Sequence, residues 1–555
     1  MNIIYYLFSK FFKEEKTNIL LLILASFTIN ILQTNGISYI TANIINFMQK
    51  KDSINVWAFF RYFLAISLVF IVVYNMYKHY QIKLLTRLRQ WVRGSLVKML
   101  LLINNENFSD TNFANLNAPI NRVAAISFFL FNDVITYLLP NFSFLLMVCI
   151  FFTYKNWVFG LGFIICNILL GLYCIYNVDD MMNYNSIYEK QIVENEFYLV
   201  DLLNNMDKVV SRGQASSEIN TYWEKMNTSI DAAYNLFDNV NYHGVISVVG
   251  LYGIIFGSIA YLIWLCFNGQ IEVTIFITFF TILLLYRDKM TILIQQIPNY
   301  IEFFGRAESV LAYFKDTDLE YEKIESKLSN YSSSSEKEIE FNTIEFKNVT
   351  FKYASSENPV MENKNISIQT NNKIIGVTGL SGNGKSTFAK ILLKMYHPSS
   401  GSVFIDNKNI DEIDTEYIRK NITYVNQSSK LFDKKIMDNM FYGCNDRDVC
   451  DRLLKEIMKY PKIRELYRNI DLEDTQTGSL GENLSGGQRQ IINIISGLIN
   501  PCKILILDEP TNALDSGLKM ELLELIKDFK RHKKCIMIIT HDKDVMPLFN
   551  ERISF

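Results

Sequence analysis

Residues 379–387 read GLSGNGKST, set between the apolar run IIGVTG and the segment FAKILLKMY. Strand, glycine-rich loop and helix in that order make a phosphate cradle. Gly379, Gly382 and Gly384 allow a tight loop whose backbone N–H groups surround phosphate oxygens, and the helix that follows offers its positive end. Lys385 can reach the β- and γ-phosphates, and Ser386 supplies a hydroxyl for Mg²⁺. The whole run, with Leu380, Ser381, Asn383 and Thr387 between those residues, is expected to contact nucleotide.

A second signal lies in KILILDEP. Four apolar residues, Ile504–Leu507, predict a buried strand that delivers Asp508, a carboxylate suited to Mg²⁺, and then Glu509, placed to polarise a water aimed at a γ-phosphate. An acidic pair at a strand end is otherwise a helix cap or a solvated turn, and the cradle upstream decides between the two. The run CIMIITHD repeats the theme and ends at His541. His79, His243, His397 and His532 read as ordinary polar residues. His541 differs because the carboxyl end of a parallel strand is where such sheets place their ligand crevice.

The rest of the chain must position these groups. At 555 residues it is too long for one core, and 49% hydrophobic against 20% charged residues is unusual for a soluble protein. Six apolar stretches are long enough to span a bilayer: about 18–48, 56–79, 129–154, 157–178, 245–268 and 272–297. The gaps alternate, short at 49–55, 155–156 and 268–271, long and polar at 80–128 and 179–244. The long gaps read as helices continuing beyond the bilayer. Lys83, Arg87, Arg89, Arg93, Lys98 and Arg122 place the first long gap in the cytoplasm, and both termini with it.

The N-terminal MNIIYYLFSKFFKEEK lacks a cleavage site and suits an amphipathic helix in the membrane interface. Arg287, Asp288 and Lys289 in the sixth stretch are expected to snorkel to the inner interface or to lie on the cytosolic extension of the helix, with a place on a transport pathway as the alternative. Residues 327–340, KLSNYSSSSEKEIE, read as a linker, and the β-like and helical runs beyond predict an α/β domain. The domains expected are therefore 1–326, spanning the membrane, a linker at 327–340, and 341–555. A net charge of −2 gives no field for nucleic acid, and eight cysteines without clustered spacing argue against a metal site or disulfide framework.

Together these residues resemble the ATP-binding cassette (ABC) transporters, in particular exporter-type half-transporters. The fold implied is an all-α six-helix transmembrane domain followed by an α/β P-loop NTPase domain of ABC type, with ATP and Mg²⁺ as cofactors. LSGGQ at 484–488 resembles the family signature. Ser485, Gly486, Gly487 and Gln488 would close on ATP held by a second half-transporter, so the resemblance implies a dimer, most simply a homodimer. Tyr353 resembles the aromatic that stacks on adenine. Gln427 resembles the glutamine that meets Mg²⁺ and the attacking water, Asp515 the aspartate that communicates across the dimer, and His541 the switch histidine at the γ-phosphate.

The implied activity is ATP hydrolysis coupled to transport through a multi-pass protein in membrane lipid, with the cassette and both termini cytoplasmic. The cargo is unspecified, and nucleic acid is not an expected partner. An exporter is the leading reading; an importer of exporter fold and a cassette-gated regulatory or channel-like protein are the alternatives. DLLNNMDKVVSRGQ at 201–214 resembles the stretch around the second coupling helix. TQTGSLG at 475–481 is a looser form of a charged family stretch, Ser496 stands where an arginine is usual, and the chain ends at Phe555, soon after His541. No peptidase domain precedes the spans, so leader cleavage by this chain is not expected.

Overall fold

The computed structural model describes residues 3–106, 117–303, 323, 338–353, 356–380, 382–428 and 430–555. Ser381 and most of the expected linker lie outside the described residues. Two compact units divide the chain, mainly residues 1–323 and 324–555.

The first unit is helical. α1 (Ile3–Glu14) and α2 (Lys16–Ile31) lead through a π-helical stretch, Leu32–Ser38, into α3 (Tyr39–Gln49). α4 spans Ser53–Glu106, and α5 (Asn117–Asp133) passes through a second π-helical stretch, Val134–Leu138, into α6 (Leu139–Lys155). α7 (Trp157–Tyr176) and α8 (Val178–Asn204) are followed by the short α9 (Met206–Ser211), then α10 (Ala215–Phe267) and α11 (Val273–Gln295). The long polar gaps thus continue the helices, and α9 falls in the segment likened to a coupling helix.

Among the described residues, five helices are long and apolar enough to cross a membrane: Lys16–Gln49, Ser53–Ile103, Ile120–Lys155, Trp157–Asn204 and Ala215–Phe267. The sixth expected span forms α11, but Arg287, Asp288 and Lys289 interrupt its apolar run. Aromatic side chains fill the core here, with Phe152 and Phe279 rings 4.6 Å apart and Phe163 edge-on to Tyr286 at 5.0 Å.

α1 forms the helix expected at the N-terminus, and part of its apolar surface packs on protein: Phe11 is fully buried, edge-on to Trp91 at 5.4 Å and to Phe131 at 5.9 Å, while Tyr5 and Phe12 stay exposed. Trp91 donates to Glu14 at 2.8 Å, and Arg87 pairs with Glu15. A 3.6-residue apolar stripe suits a lipid interface and a protein groove equally well.

The second unit is α/β. A parallel sheet runs β6 (Ile422–Val425), β7 (Ile504–Asp508), β8 (Cys535–Ile539), β3 (Lys373–Thr378) and β9 (Glu551–Ser554). An antiparallel sheet runs β2 (Met361–Gln369), β1 (Thr343–Phe351), β4 (Ser400–Ile405) and β5 (Lys408–Asn409). The helices are α12 (Lys385–Leu392), α13 (Thr415–Asn421), α14 (Ile436–Met440), α15 (Arg447–Ile457), α16 (Pro461–Glu465), α17 (Gly486–Ile499) and α18 (Ser516–Phe529).

β7 and β8 are buried along their whole length, as strands covered on both faces must be. One core packs α12 between the two sheets around Phe346, Phe388 and Ile506; the other packs α17 and α18 on the far face of the parallel sheet around Ile495, Leu505 and Phe529.

The cysteine expectation is corrected. Cys444 and Cys450 form a disulfide, their Cα atoms 6.6 Å apart across the turn that enters α15. A six-residue spacing across a turn leaves no periodic mark in the sequence.

Candidate functional site

The parallel sheet delivers four pieces to one rim. β3 runs into the glycine loop, where Gly379 has φ +150°, Gly382 φ +87° and Gly384 φ +87°. A Cβ at Gly379 would meet the Phe555 carbonyl oxygen at 2.6 Å, so both conformation and space demand glycine there. Lys385 opens α12 and is almost fully buried, and its ammonium donates to the carbonyls of Gly379 (3.0 Å) and Leu380 (2.8 Å). The amine thus lies folded along the loop it would leave to meet a phosphate. Asn383 Nδ2 donates to the Phe555 carbonyl at 3.5 Å, and Thr387 Oγ1 lies 2.8 Å from the Tyr353 hydroxyl.

Next to the loop, β7 ends at Asp508. Ser386 Oγ donates to Asp508 Oδ2 at 2.7 Å, and so does the Tyr424 hydroxyl from the adjoining strand, also at 2.7 Å. Burial, together with the Asp508 carboxylate, drives the Tyr424 hydroxyl well above the usual tyrosine range, so it stays a proton donor. The serine and aspartate oxygens side by side suit a hard cation of Mg²⁺ type, which prefers oxygen ligands and retains water.

Glu509 has φ +47°, a left-handed conformation that costs a residue with a Cβ about 1–3 kcal/mol and needs surrounding contacts to hold it. Those contacts are present. Its N–H donates to the Ile539 carbonyl at 2.8 Å, Thr540 Oγ1 donates to Oε2 at 3.1 Å, and His541 Nδ1 lies 2.7 Å from Oε1. The carboxylate is nearly buried, while the imidazole is 70% exposed at the rim. Asp542 continues the chain of contacts, accepting from Thr511 Oγ1 at 2.9 Å and from Lys519 Nζ at 2.6 Å. Although burial opposes it, these bonds hold the Asp542 carboxyl below the usual carboxylate range.

The signature segment opens α17 with a capping box. Gln488 N–H donates to Ser485 Oγ at 3.2 Å, and Ser485 N–H donates to Gln488 Oε1 at 2.8 Å. Gln488 Nε2 donates onward to the Leu466 carbonyl at 3.1 Å, so this side chain is committed to holding the helix start. Gly487 allows the loop after Glu509 to approach, since a Cβ there would sit 3.3 Å from the Ala513 carbonyl oxygen. Gln490 Nε2 reaches the Glu509 carbonyl at 3.5 Å. Asp515 caps α18, accepting from the Leu518 N–H at 2.9 Å. The 475–481 stretch is clipped to the residues after Gln427: buried Thr477 donates to the carbonyls of Phe432 (2.6 Å) and Lys434 (3.1 Å).

Gly379, Lys385, Ser386, Asp508, Glu509 and His541 are therefore gathered on one rim. Tyr353 stands beside them in an aromatic cluster with Phe351 and Tyr396. Gln427 is exposed in the bend after β6, and none of the hydrogen bonds described joins it to Asp508. Tyr424 holds that aspartate instead. Sequence reasoning missed Tyr424 and Thr540; each is one residue type among many, on or just after a strand, and only the pairing of β6 with β7 and of β7 with β8 brings them to the acids.

Residues 362–512 match the ABC transporter family. A putative export ATP-binding/permease protein of Rickettsia typhi is 39% identical over 198 residues, covering 35% of this chain and 34% of that one. An uncharacterized ABC transporter ATP-binding protein of Bacillus subtilis is 35% identical over 190 residues, covering 34% of this chain and 32% of the relative. The matched stretch thus spans about a third of the length of these curated relatives. Among solved structures, a bacterial Atm1-family ABC exporter with ATP bound superposes with a TM-score of 0.76 over 98% of this chain and 93% of that one, at 18% identity, which is a likeness of fold. Residues 362–512 therefore form an ABC transporter ATP-binding domain, and the chain as a whole shares the fold of a bacterial ABC exporter, with membrane-length apolar helices in the first unit.

Proposed function

We propose that this protein is an ATP-driven exporter that works as a homodimer, with residues 1–326 crossing the membrane, 327–340 linking, and 341–555 binding and hydrolysing ATP on the cytoplasmic side. One observation supports this above the others: Ser386, Asp508, Glu509 and His541 meet at the carboxyl rim of the parallel sheet, within hydrogen-bond reach of one another in pairs.

In this reading residues 379–387 wrap the phosphates, Lys385 turns from its own loop carbonyls to the phosphate oxygens, and Tyr353 meets the adenine. Ser386 and Asp508, with Gln427 from the bend after β6, would hold Mg²⁺, which would supply positive charge to the phosphate oxygens. Glu509 takes the proton of the attacking water, Thr540 keeps its carboxylate oriented, and His541 holds the γ-phosphate side of the site.

Ser485, Gly486, Gly487 and Gln488 of one copy close over the nucleotide of the other, with Asp515 at the seam, so closure needs two copies and is symmetric. ATP then favours the closed pair, and the membrane helices follow by population shift. The export direction is supported by the fold and by the export label of the rickettsial relatives.

The test is ATPase activity of the protein in lipid nanodiscs beside Glu509→Gln. Turnover that the substitution removes, with cargo moved in inside-out vesicles, supports the proposal. Turnover at an unchanged rate in Glu509→Gln would sink it.

A further inference from the structure

The charged trio of α11 does not behave as a snorkelling group. Arg287 and Asp288 pair with each other at 2.8 Å. Lys289 is left, and among the described residues no carboxylate lies within 4 Å of its ammonium; its one described contact is the face of Phe144, 5.4 Å from the ring centroid.

Depth makes this unusual. Phe144 lies eleven residues before the Lys155 end of α6, about 16 Å along the helix at 1.5 Å per residue, which is close to the midplane of a hydrocarbon layer of about 30 Å. Lys289 lies seventeen residues past Glu272, about 25 Å down α11, and its side chain leans back toward the helix N-terminus. The amine is therefore turned toward the centre of the bilayer, away from the cytoplasmic face that snorkelling would seek.

The turn of α6 at this level also carries a polar pair. Asn30 Nδ2 of α2 donates to Ser143 Oγ at 2.5 Å and to the Pro140 carbonyl at 2.9 Å, next to Phe144 in the chain. Ser26 Oγ lies 3.4 Å from Ser143 Oγ. Both π-helical stretches pack on α6 and on α11, and such irregular turns inside helices recur where a site is built. An ammonium in this setting, with only a ring for company, lacks a counter-charge.

We propose that Lys289, over the face of Phe144, binds the anionic head of an amphipathic cargo, a carboxylate or a phosphate carried on an apolar body. The assignment rests on the transport reading for the word cargo, and its binding chemistry is testable without it.

The experiment measures binding of 11-(dansylamino)undecanoic acid and of its primary amide to nucleotide-free protein in neutral-lipid nanodiscs, by energy transfer from tryptophan, with empty nanodiscs subtracted. The acid is expected to bind at least about tenfold more tightly than the amide, the scale of one charge-assisted contact. Dodecyl phosphate should displace it and dodecanol should not.

Lys289→Gln is expected to abolish the preference and Lys289→Arg to keep it. Should Lys289→Gln give no folded protein, Lys289→Met, which retains the apolar stem, serves the same comparison. Equal binding of acid and amide, or a preference that survives Lys289→Gln or Lys289→Met, overturns the assignment. Because no nucleotide is present, equal binding of acid and amide by the parent protein with Glu509-dependent turnover intact sinks this site alone, whereas unchanged turnover in Glu509→Gln sinks the transport reading and leaves the anion site standing.

Discussion

His541 Nδ1 and Glu509 Oε1 lie 2.7 Å apart, joining the exposed end of β8 to the nearly buried acid after β7. Two groups that share one hydrogen bond act as a unit, and their losses should not add. Glu509→Gln is expected to lower ATP turnover roughly a hundredfold or more, the usual worth of a positioned base. His541→Ala should approach that loss, and the double variant should be little worse than Glu509→Gln alone. Steady-state phosphate release from all three decides it, and multiplicative losses would show that the two residues work separately.

Tyr424 and Ser386 both donate to the same oxygen of Asp508. Removing the phenol frees that oxygen for a cation. Tyr424→Phe should therefore reach half-maximal ATPase at a lower Mg²⁺ concentration, by about threefold, a fraction of the 1.5–3 kcal/mol of a hydrogen bond to a charged group. Magnesium titration at saturating ATP reads this directly, and a raised requirement would mean that the tyrosine helps to hold the metal.

Gln488 closes the capping box of α17 and also holds Leu466. Gln488→Ala should destabilise the cassette by about 1 kcal/mol, the usual worth of a cap. Ser485→Ala removes the reciprocal half of the same device. Thermal unfolding of the two single variants and the pair would show strong non-additivity if the box is one unit.

Asp542 is held below its ordinary pKa despite burial, by Lys519, the Asp544 N–H and Thr511. A carboxyl depressed by folding contributes stability above its unfolded pKa, close to 3.8, and loses that contribution as pH falls through the lower folded value. Asp542→Asn should then be less stable than the parent at neutral pH, by about 1 kcal/mol. The gap should close in strong acid. Denaturant melts at pH 7 and near pH 3 test both halves of that statement.

The Cys444–Cys450 bond predicts that the unfolded, unreduced protein takes up six alkyl groups from iodoacetamide, and eight after reduction. Intact mass measures the difference. Uptake of eight without reductant would show the two thiols apart.

What could be read in the sequence was what a short stretch specifies by itself. The glycine loop needs φ values that only its spacing of glycines provides, and β7 announces itself because a strand covered on both faces must be continuously apolar. Long apolar helices declare themselves for the same reason. Tyr424 and Thr540 were illegible because their role depends on strand pairing across eighty and thirty residues, which carries no local mark. Gln427 followed from the resemblance alone; it lies in an exposed bend, and among the described residues no hydrogen bond joins it to Asp508. Lys289 was legible as a charge and illegible as a lone one, since only packing shows that Arg287 takes Asp288.

The contact between Gln490 and the Glu509 carbonyl has a further consequence. The helix that would be lent to the partner's nucleotide is tethered to the acid that would cleave the chain's own, and Gly487 lets the loop between them lie against the helix start. In a closed pair such a tether would couple the two nucleotide pockets. In a symmetric pair each half would sense both occupancies, so firing at one pocket would disturb the grip on its neighbour, and turnover should carry the stamp of alternation.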